Sequence, residues 1–287
     1  MRNLFPILTV LLAIVVIWYA GAVVMNSTWT QDQAERAGVE LSFSEVVADT
    51  MAQDRPKLPA PHQVAAELWK TTVGKKITSK RSLVFHGWIT FSATMVGFGI
   101  GTTAGILLAI GIVYNRAMDM SVMPWAIASQ TIPILAIAPM IIVVLNSMGV
   151  QGLLPKAVIS AYLSFFPVVV GMVKGLRAPD MMQLDLMRTY NASGAAMFWK
   201  LRLPSSMPYL FASLKVGVAA SLVGTIVAEL PSGAVRGLGA RLLSGSYYGQ
   251  TIQIWSALLA AAALAGMLVG IVGIVERMTL KRMGMAQ

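Results

Sequence analysis

Six long apolar runs dominate this chain and restrict what it can fold into. Each run meets or approaches the roughly 20 residues that an α-helix needs to cross the hydrocarbon layer of a membrane. A backbone surrounded by lipid must satisfy all its hydrogen bonds internally, so we expect continuous helices with local kinks at prolines. The sequence therefore predicts an all-α polytopic membrane protein. The predicted spans are residues 4–25, 88–113, 122–146, 157–173, 209–230 and 252–275, and the kinks fall at Pro124, Pro133, Pro139 and Pro167.

The composition favours the same class. Hydrophobic residues make up 56% of the 287 residues and charged residues only 12%, whereas a soluble domain carries about 25% charged residues. The excess of 22 Lys and Arg over 12 Asp and Glu could indicate nucleic acid, but in a membrane protein it is typical of cytoplasmic loops. We therefore expect no nucleic-acid partner.

Metal and thiol chemistry are not expected. The chain has no cysteine, which excludes disulfides, thiolate metal sites and a cysteine nucleophile. Its two histidines, His62 and His86, lie far apart and lack ligand-type neighbours.

The positions of the cations predict that both termini lie in the cytoplasm. With the N-terminus inside, the short inner segments hold ten Lys and Arg and the short outer loops hold three, which follows the positive-inside rule. Residues 26–81 disagree because they end in a basic run, but this segment is long and its first half is acidic. The inner cations are Arg2, Arg116, Lys174, Arg177, Arg188, Lys200, Arg202, Arg277, Lys281 and Arg282, and the outer ones are Lys156, Arg236 and Arg241.

Three regions follow from these spans: residues 1–25 as a membrane anchor helix, residues 26–87 as a periplasmic loop, and residues 88–283 as the main transmembrane domain. The first run could instead be a cleaved signal peptide, because residues 20–22 are small. Its apolar run exceeds the 7–15 residues usual for a signal peptide, which favours a retained anchor.

The predicted periplasmic loop is part folded and part tether. Residues 38–51 have weak helical or strand character, and the proline-rich residues 56–61 indicate a stiff extended linker. Residues 63–70 predict a short amphipathic helix lying on the bundle. Its apolar side consists of Val64, Leu68 and Trp69.

Glycines recur every four residues in the second and last spans. At this spacing they allow two helix backbones to approach closely, which is how helices associate in lipid. The positions are Gly97, Gly101 and Gly105, and Gly266 and Gly270.

The spans carry no recognisable charge relay. Ion-coupled carriers need ionisable groups inside the membrane, and only Lys215 and Glu229 qualify within the predicted spans. At 1.5 Å per residue they lie about 21 Å apart along one helix, so Lys215 is expected to reach the inner surface and Glu229 the outer edge. We expect the energy for any transport to come from outside this chain.

Enzyme signatures are also missing. The sequence has no Gly-rich phosphate loop ending in Gly-Lys-Ser/Thr and no Gly-x-Ser-x-Gly nucleophile elbow, so neither ATP binding by that loop nor acyl transfer is expected. The Gly-Leu-Gly at residues 237–239 alone indicates only a loop.

Residues 174–208 join two spans and are far longer than the 2–8 residues usual between neighbouring helices. Residues 180–190 predict a helix that Asp180 caps, and Asn191 can take the left-handed conformation that ends it. Residues 193–202 predict a second helix with a serine cap, which Leu203 and Pro204 stop. The first helix carries an apolar stripe of Met181, Leu184 and Met187, and the second presents Met197, Phe198 and Leu201.

This helix–turn–helix resembles the cytoplasmic coupling loop of binding-protein-dependent ABC importer permeases. That signature is Glu-Ala-Ala, three residues, Gly, then nine residues to Ile/Leu-x-Leu-Pro. Residues 185–187 (Asp-Leu-Met) stand where Glu-Ala-Ala would, Asn191 stands where the glycine would, and residues 201–204 complete the pattern. The substitutions keep the backbone plan, because Asp retains the carboxylate and Asn tolerates a left-handed turn. Further matches are Arg188, Thr189, Ala192, Ser193 and Pro208.

The resemblance covers most of residues 58–283 and is closest to the branch that imports nitrate, sulfonates, taurine and some heterocyclic vitamin precursors. Residues 58–61 look like the entry motif of that branch, residues 130–133 with 138–139 look like its third-span motif, and residues 228–229 with 237–239 look like its fifth-span exit. The stretch 27–57 has no counterpart that we recognise.

The resemblance implies a type I permease fold with six transmembrane helices and a cytoplasmic coupling loop at residues 178–206. It implies a passive subunit of a bacterial cytoplasmic-membrane importer, embedded in lipid and paired with a second copy as a homodimer. A periplasmic binding protein would deliver the solute, and separate ATPase subunits would dock on the loop and hold ATP and Mg²⁺, so this chain would bind no cofactor. The implied coupling residues are Leu184, Asp185, Met187, Arg188, Asn191, Ala192, Ser193, Leu203 and Pro204.

Polar residues within the spans are candidates for the solute pathway, although such residues more often hold helices together. The alternatives to an importer subunit are a self-sufficient channel or secondary carrier and, third, a membrane-embedded enzyme, while the loop could instead rest on the membrane surface. The identity of the solute stays open. The pathway candidates are Gln130, Thr131, Ser221 and Thr225.

Overall fold

The computed structural model describes residues 4–230 and 236–285, and every regular element among them is helical. Arg2, one of the predicted inner cations, lies outside the described residues. The helices are α1 (Leu4–Ala37), α2 (Phe43–Ala52), α3 (Pro61–Thr72), α4 (Leu83–Tyr114), α5 (Arg116–Ser129), α6 (Ile134–Ser147), α7 (Leu153–Leu176), α8 (Met181–Thr189), α9 (Gly194–Met197), a π-helical turn (Phe198–Arg202), α10 (Leu203–Glu229), α11 (Leu238–Tyr247) and α12 (Thr251–Arg282).

The all-α membrane fold is confirmed. Five of the described helical segments are long and apolar enough to cross a membrane, and a sixth span results if the bent pair α5–α6 counts as one. Two compact units make up the chain: unit 1 contains residues 1–86 and 240–261, and unit 2 contains residues 87–239 and 262–287.

Residues 122–146 do not form the single kinked helix that the sequence predicted for the third span. The chain bends by 99° between α5 and α6, where Pro133 precedes the first residue of α6. Proline removes a backbone donor and pushes the residue before it out of the helical region, so Ile132 cannot continue α5. Prolines that lie within helices, at Pro124, Pro139 and Pro167, do not break them.

The predicted helix stop at Leu203 and Pro204 is also wrong. Helical structure runs from Gly194 to Glu229 without interruption, because the turn Phe198–Arg202 is π-helical and the Leu203 amide donates to the Phe198 carbonyl five residues back. A proline normally collides with the carbonyl four residues before it. The wider π turn relieves this contact, so Pro204 becomes part of the first turn of α10.

Unit 1 contains the segment without a recognised counterpart, and this segment is folded. After a turn at Gly38 (φ +66°), α2 begins with a capping box between Ser42 and Glu45. The Thr30 hydroxyl on α1 donates to Asp49 on α2 at 2.7 Å and accepts from the buried Gln53 amide at 2.9 Å. The weak pattern at residues 38–51 therefore forms a helix that α1 holds by side-chain hydrogen bonds.

The proline-rich linker is extended, but it is not a free tether. The buried Asn26 side chain donates to the Leu58 carbonyl at 2.8 Å and accepts from the Leu58 amide at 3.1 Å. The Trp18 indole donates to the Pro59 carbonyl at 3.0 Å. The amphipathic helix that follows is α3. It buries Val64 but leaves Trp69 69% exposed, so the prediction that these two residues lie on one apolar side is wrong.

Unit 2 is organised around α4, α7 and α10. A Cβ atom added at Gly97, Gly101 or Gly105 of α4 would lie under 3.0 Å from atoms of α7, which confirms the close approach predicted there. Added Cβ atoms at Gly266 and Gly270 of α12 would meet nothing within 4 Å among the described residues. The predicted packing role of these two glycines is therefore not observed.

Two ends of unit 2 are used as reference points below. The Thr90 end is where α4 and α7 begin and α10 finishes, and the Tyr114 end is where α4 and α7 finish and α10 begins. Near the Tyr114 end, α4 and α7 share a buried apolar cluster of Ala109, Ile112, Val169, Met172, Val173 and Leu176.

Candidate functional site: the coupling loop and the polar core

The first helix of the coupling loop forms as the sequence predicts. Asp180 caps α8, accepting a hydrogen bond from the Gln183 amide at 2.8 Å, while the Gln183 side chain accepts from the Asp180 amide at 3.3 Å. This reciprocal pair satisfies two of the amide donors that every helix leaves free at its start. The beginning of the loop therefore has a fixed conformation.

The turn after α8 is also as predicted. Asn191 has a φ of +50° and is the one non-glycine residue with positive φ in the described part of the chain. The Asn191 amide donates to the Arg188 carbonyl at 2.8 Å and the Ala192 amide to the Met187 carbonyl at 3.0 Å. Ser193 then caps α9 by accepting from the Ala196 amide at 3.2 Å.

The exposed apolar face of α8 differs from the predicted stripe. Leu184 and Met187 are half-buried, and only Met181 of the predicted three is exposed. The most exposed apolar side chains recur at four-residue spacing: Met182 (82%), Leu186 (57%) and Tyr190 (78%). We call these three residues the docking face, after the role that is proposed for them below. Because α8 has apolar residues on two sides, the sequence alone did not decide which side faces outward.

The remaining predicted coupling residues hold the loop in place or lie on its surface. Asp185 and Arg188 form an exposed ion pair at 3.0 Å, which contributes little to stability. Ala192 is half-buried, Ser193 is exposed, and Leu203 and Pro204 lie half-buried at the start of α10.

Two of the pathway candidates lie at the break between α5 and α6. Gln130 is half-buried and donates to the Ser129 hydroxyl at 3.3 Å, while Thr131 is exposed and donates to the Ala128 carbonyl at 2.8 Å. The Tyr162 hydroxyl of α7 donates to the Ser129 carbonyl, which holds the end of α5 against α7.

The other two pathway candidates are fully buried between α4, α7 and α10. Ser221 donates to the Thr94 carbonyl at 3.0 Å, and its carbonyl accepts from Ser160 at 2.9 Å. The hydroxyls of Thr94 and Thr225 hydrogen-bond at 3.0 Å. The structure brings Ser221 and Thr225 together, but no described hydrogen bond links them to the α5–α6 break.

At the Thr90 end lies a buried ionic cluster that the sequence analysis missed. Glu229 has no solvent exposure and pairs with Lys156 at 3.2 Å. Its carboxylate also accepts from the Thr90 hydroxyl at 3.0 Å and the Gly239 amide at 2.9 Å. Lys156, predicted in an outer loop, lies instead in the first turn of α7, where it supplies the Glu229 counter-ion that the sequence did not indicate.

The Gly-Leu-Gly at residues 237–239 closes over this cluster. The Leu238 amide donates to the Thr90 hydroxyl at 2.9 Å. Gly237 has a φ of +124°, and a Cβ atom there would overlap the Glu229 carboxylate. The glycines are thus required by the close approach of backbone to carboxylate, and a glutamate ending an apolar run shortly before Gly-x-Gly was the signal available in the sequence.

The family of the chain is decided by comparison of its sequence. Residues 101–283, well over half of the 287, match the family described as binding-protein-dependent transport system inner membrane component. The chain belongs to this family of ABC importer permeases.

Several curated relatives support the assignment. A probable ABC transporter permease from Haemophilus influenzae is 27% identical and covers 79% of this chain and 88% of its own length. A formylaminopyrimidine transport permease from Halalkalibacterium halodurans is 30% identical, with coverage of 63% and 68%. The nitrate import permease of Synechocystis is 24% identical, with coverage of 76% and 75%.

This permease has a second ion pair within its spans. Lys215 of α10 pairs with Glu276 of α12, and their side chains are 36% and 17% exposed. The expectation that Lys215 reaches the inner surface stays a prediction, and the structure adds a carboxylate of α12 next to it.

Proposed function

We propose that this permease is the translocation subunit of an ATP-driven importer, and that separate ATPase subunits bind its coupling loop, residues 178–206. The observation that carries the proposal is the docking face of Met182, Leu186 and Tyr190. These side chains stand exposed on a helix that is capped at its start by Asp180 and ended by Asn191. A rigid apolar surface outside the spans is typical of a protein interface.

We propose that the energy comes from the partner subunit. The chain has no Gly-rich phosphate loop, so ATP and Mg²⁺ would be held by the ATPase subunits and this chain would bind no cofactor. Both intramembrane ion pairs, Lys156–Glu229 and Lys215–Glu276, join opposite charges inside one chain. In each pair the two charges compensate each other, so we propose a structural role for them rather than proton transport.

We propose a small solute delivered by a periplasmic binding protein. Some of the relatives are named for formylaminopyrimidine, riboflavin, aliphatic sulfonates or nitrate, and a nitrate, sulfonate, taurine-like or heterocyclic solute fits this group. Gln130 and Thr131 are the favoured pathway residues, because irregular backbone at membrane depth is tolerated where it lines a cavity. Ser221 and Thr225 also stay candidates, although their hydrogen bonds between helices favour a packing role.

The arrangement in the membrane is part of the proposal. Counting the bent pair as one, each copy supplies six spans, and two copies would form one pathway in the bacterial cytoplasmic membrane. We place the Tyr114 end and both termini in the cytoplasm, because the cations follow the positive-inside rule there. The exposed apolar side chains of α1, such as Phe5 and Leu12, would face lipid.

The test is co-purification of the ATPase subunits with the membrane protein. Leu186→Asp places a charge on the docking face and is expected to lower the recovered ATPase at least tenfold. Met148→Asp is the matched control, because Met148 is similarly exposed but lies at the other end of unit 2. Leu184→Asp and Met187→Asp are also expected to lower recovery, with some loss of folded protein because both residues are half-buried. Equal recovery with Leu186→Asp and the parent would contradict the docking role.

The second candidate is a self-sufficient channel or secondary carrier, which the ionisable residues within the spans favour. It makes a different prediction for the chain without a partner. We expect the purified chain, reconstituted alone in vesicles with a proton or sodium gradient, to accumulate none of the named solutes. Uphill uptake by the chain alone would establish the carrier instead.

A further inference from the structure

We propose that Arg202 is the positioning residue that transmits movement of the coupling loop to the ends of α4 and α7. This inference rests on the proposed function, because it assumes that an ATPase moves the loop. It assigns a role to a residue at the junction of loop and bundle that does not belong to the docking face.

Arg202 contacts both helices at the Tyr114 end. It is the last residue of the π-helical turn, and its Nη1 donates to the Leu176 carbonyl at the end of α7 at 2.9 Å. Its guanidinium carbon lies 5.7 Å from the centre of the Tyr114 ring at the end of α4. One side chain at the start of α10 therefore touches the last residues of two other spans.

The chemistry of these contacts suits a guanidinium. The last carbonyls of a helix have no partner within the helix and carry partial negative charge, so a cation there is favourable. The face of a tyrosine ring also attracts a cation. A side chain with neither an N–H donor nor a positive charge, such as that of methionine, would make neither contact.

The π turn directs its side chains to two sides. Phe198 packs edge-on against Tyr114 at 6.1 Å between ring centres and contacts the apolar cluster at this end. Trp199 and Lys200 are exposed. Phe198, Leu201 and Arg202 are half-buried and form the inner side of the turn. Phe198 and Arg202 contact the ends of α4 and α7, so a rotation or shift of the loop acts on these ends through them.

The contact extends to a third span. Arg177, the residue after Leu176, pairs with Asp119 of α5 at 2.9 Å. The ends of α4, α5 and α7 are thus linked by side chains, and Arg202 is the connection from the coupling loop to this group.

One hydrogen-bond donor of the Arg202 side chain also lacks an acceptor. Its Nε is buried and makes no hydrogen bond with the described residues, which is costly for a charged donor. A displaced position of the loop in which Nε finds an acceptor would recover that cost. The residue is therefore suited to a turn that has two positions, and π-helical turns occur frequently at functional sites.

The experiment uses the absence of cysteine from the chain. An environment-sensitive fluorophore is attached at Ala195→Cys, exposed on α9, or at Gln151→Cys, exposed at the Thr90 end. The assembled complex with its ATPase subunits is reconstituted in nanodiscs and mixed with Mg-ATP. In the parent we expect both labels to respond.

Arg202→Met is expected to separate the two signals. The Ala195 label should still respond, because the ATPase still binds and moves the loop, while the amplitude of the Gln151 label falls at least fivefold. Arg116→Met is the matched control, since it removes an exposed arginine two residues beyond Tyr114, and both labels should respond in it. A Gln151 amplitude in Arg202→Met equal to that of the parent would overturn the proposal.

Three milder substitutions keep the test decisive if Arg202→Met does not assemble. Tyr114→Phe keeps the ring and should behave as the parent, whereas Tyr114→Leu should lower the Gln151 amplitude about twofold, in line with the modest strength of a cation–π contact. Arg202→Lys keeps the charge and should give an intermediate amplitude. Parent-like amplitudes in both Tyr114→Leu and Arg202→Lys would overturn the role of Arg202, whereas failure of the ATPase to bind the parent would overturn the proposed function instead.

Discussion

The two ends of unit 2 differ in how completely their buried charged groups are hydrogen-bonded. At the Thr90 end, the fully buried Glu229 carboxylate finds all its partners within the chain, in Thr90, Lys156 and Gly239. At the Tyr114 end, the apolar docking face is exposed and the buried Nε of Arg202 lacks a hydrogen bond among the described residues. The buried carboxylate at the first end is compensated within the chain, whereas the second end exposes the apolar side chains that the proposed docking of a partner would cover.

The difference should appear as a difference in what stabilises each end. A buried charge must be compensated locally, and removal of one partner leaves the other charge uncompensated. An exposed apolar side chain contributes little to folding, because it stays in contact with solvent. We therefore expect substitutions at the Thr90 end to affect folding, and substitutions on the docking face to affect assembly.

The largest effect is expected from Lys156→Met. It leaves the Glu229 carboxylate buried without its counter-ion, which should lower the free energy of unfolding by about 3–5 kcal/mol. Thermal unfolding of the detergent-solubilised protein, followed by fluorescence-detected size exclusion, measures the change. The double variant Lys156→Met/Glu229→Gln removes both charges and should recover more than half of the loss. If the double variant is no more stable than the single one, loss of the ion pair is not the cause of the lower stability.

A smaller loss is expected from Gly237→Ala. The new methyl group would overlap the Glu229 carboxylate at a backbone φ of +124°, and such strain costs about 2 kcal/mol or more. Gly38→Ala is the control, because Gly38 has a φ of +66° but open space around it, so only the cost of the left-handed backbone conformation, about 1 kcal/mol, remains. Equal losses in the two variants would argue against the close contact.

Leu186→Ser tests the Tyr114 end, where we expect an effect on assembly rather than on folding. The side chain is 57% exposed, so the free energy of unfolding should change by no more than about 0.5 kcal/mol. Binding of the ATPase subunits should nevertheless weaken severalfold. A large loss of thermal stability without loss of binding would place Leu186 in the folded core instead.

The smallest effect concerns the cap of α2 in unit 1. Hydrogen bonds from the Ser42 backbone amide and then from the Ser42 hydroxyl hold the pKa of the exposed Glu45 carboxyl below its usual range. A lowered pKa means that the carboxylate stabilises α2 fully above the ordinary pKa of glutamate, and that this contribution is lost as the pH falls through the lowered value. Hydrogen exchange of α2, corrected for pH, should show this loss. Glu45→Gln should remove the pH dependence.

Local signals explain why the coupling loop was predictable from the sequence. Asp180 as a cap and Asn191 as a left-handed turn residue act within a few residues of their own positions, and both appear as expected. The orientation of α8 was not predictable, because its apolar residues lie on both sides and only the neighbouring helices decide which side is buried.

Long-range contacts explain most of the errors. Lys156 and Glu229 are 73 residues apart in the chain, and neither position alone indicates a partner. Pro133 predicted a kink within one helix, whereas the chain bends by 99° between two separate helices there. Pro204 predicted a stop, and a π turn instead accommodates it within a continuous helix.

The glycine row of α4 restricts how this permease can move. Gly97, Gly101 and Gly105 each receive different atoms of α7, among them the side chains of Ser160 and Ser164. Sliding one helix along the other by a single residue would drive a side chain into the opposing backbone, so shear between the two is blocked. A transport cycle that moves these helices would therefore tilt or rotate α4 and α7 together as one rigid body.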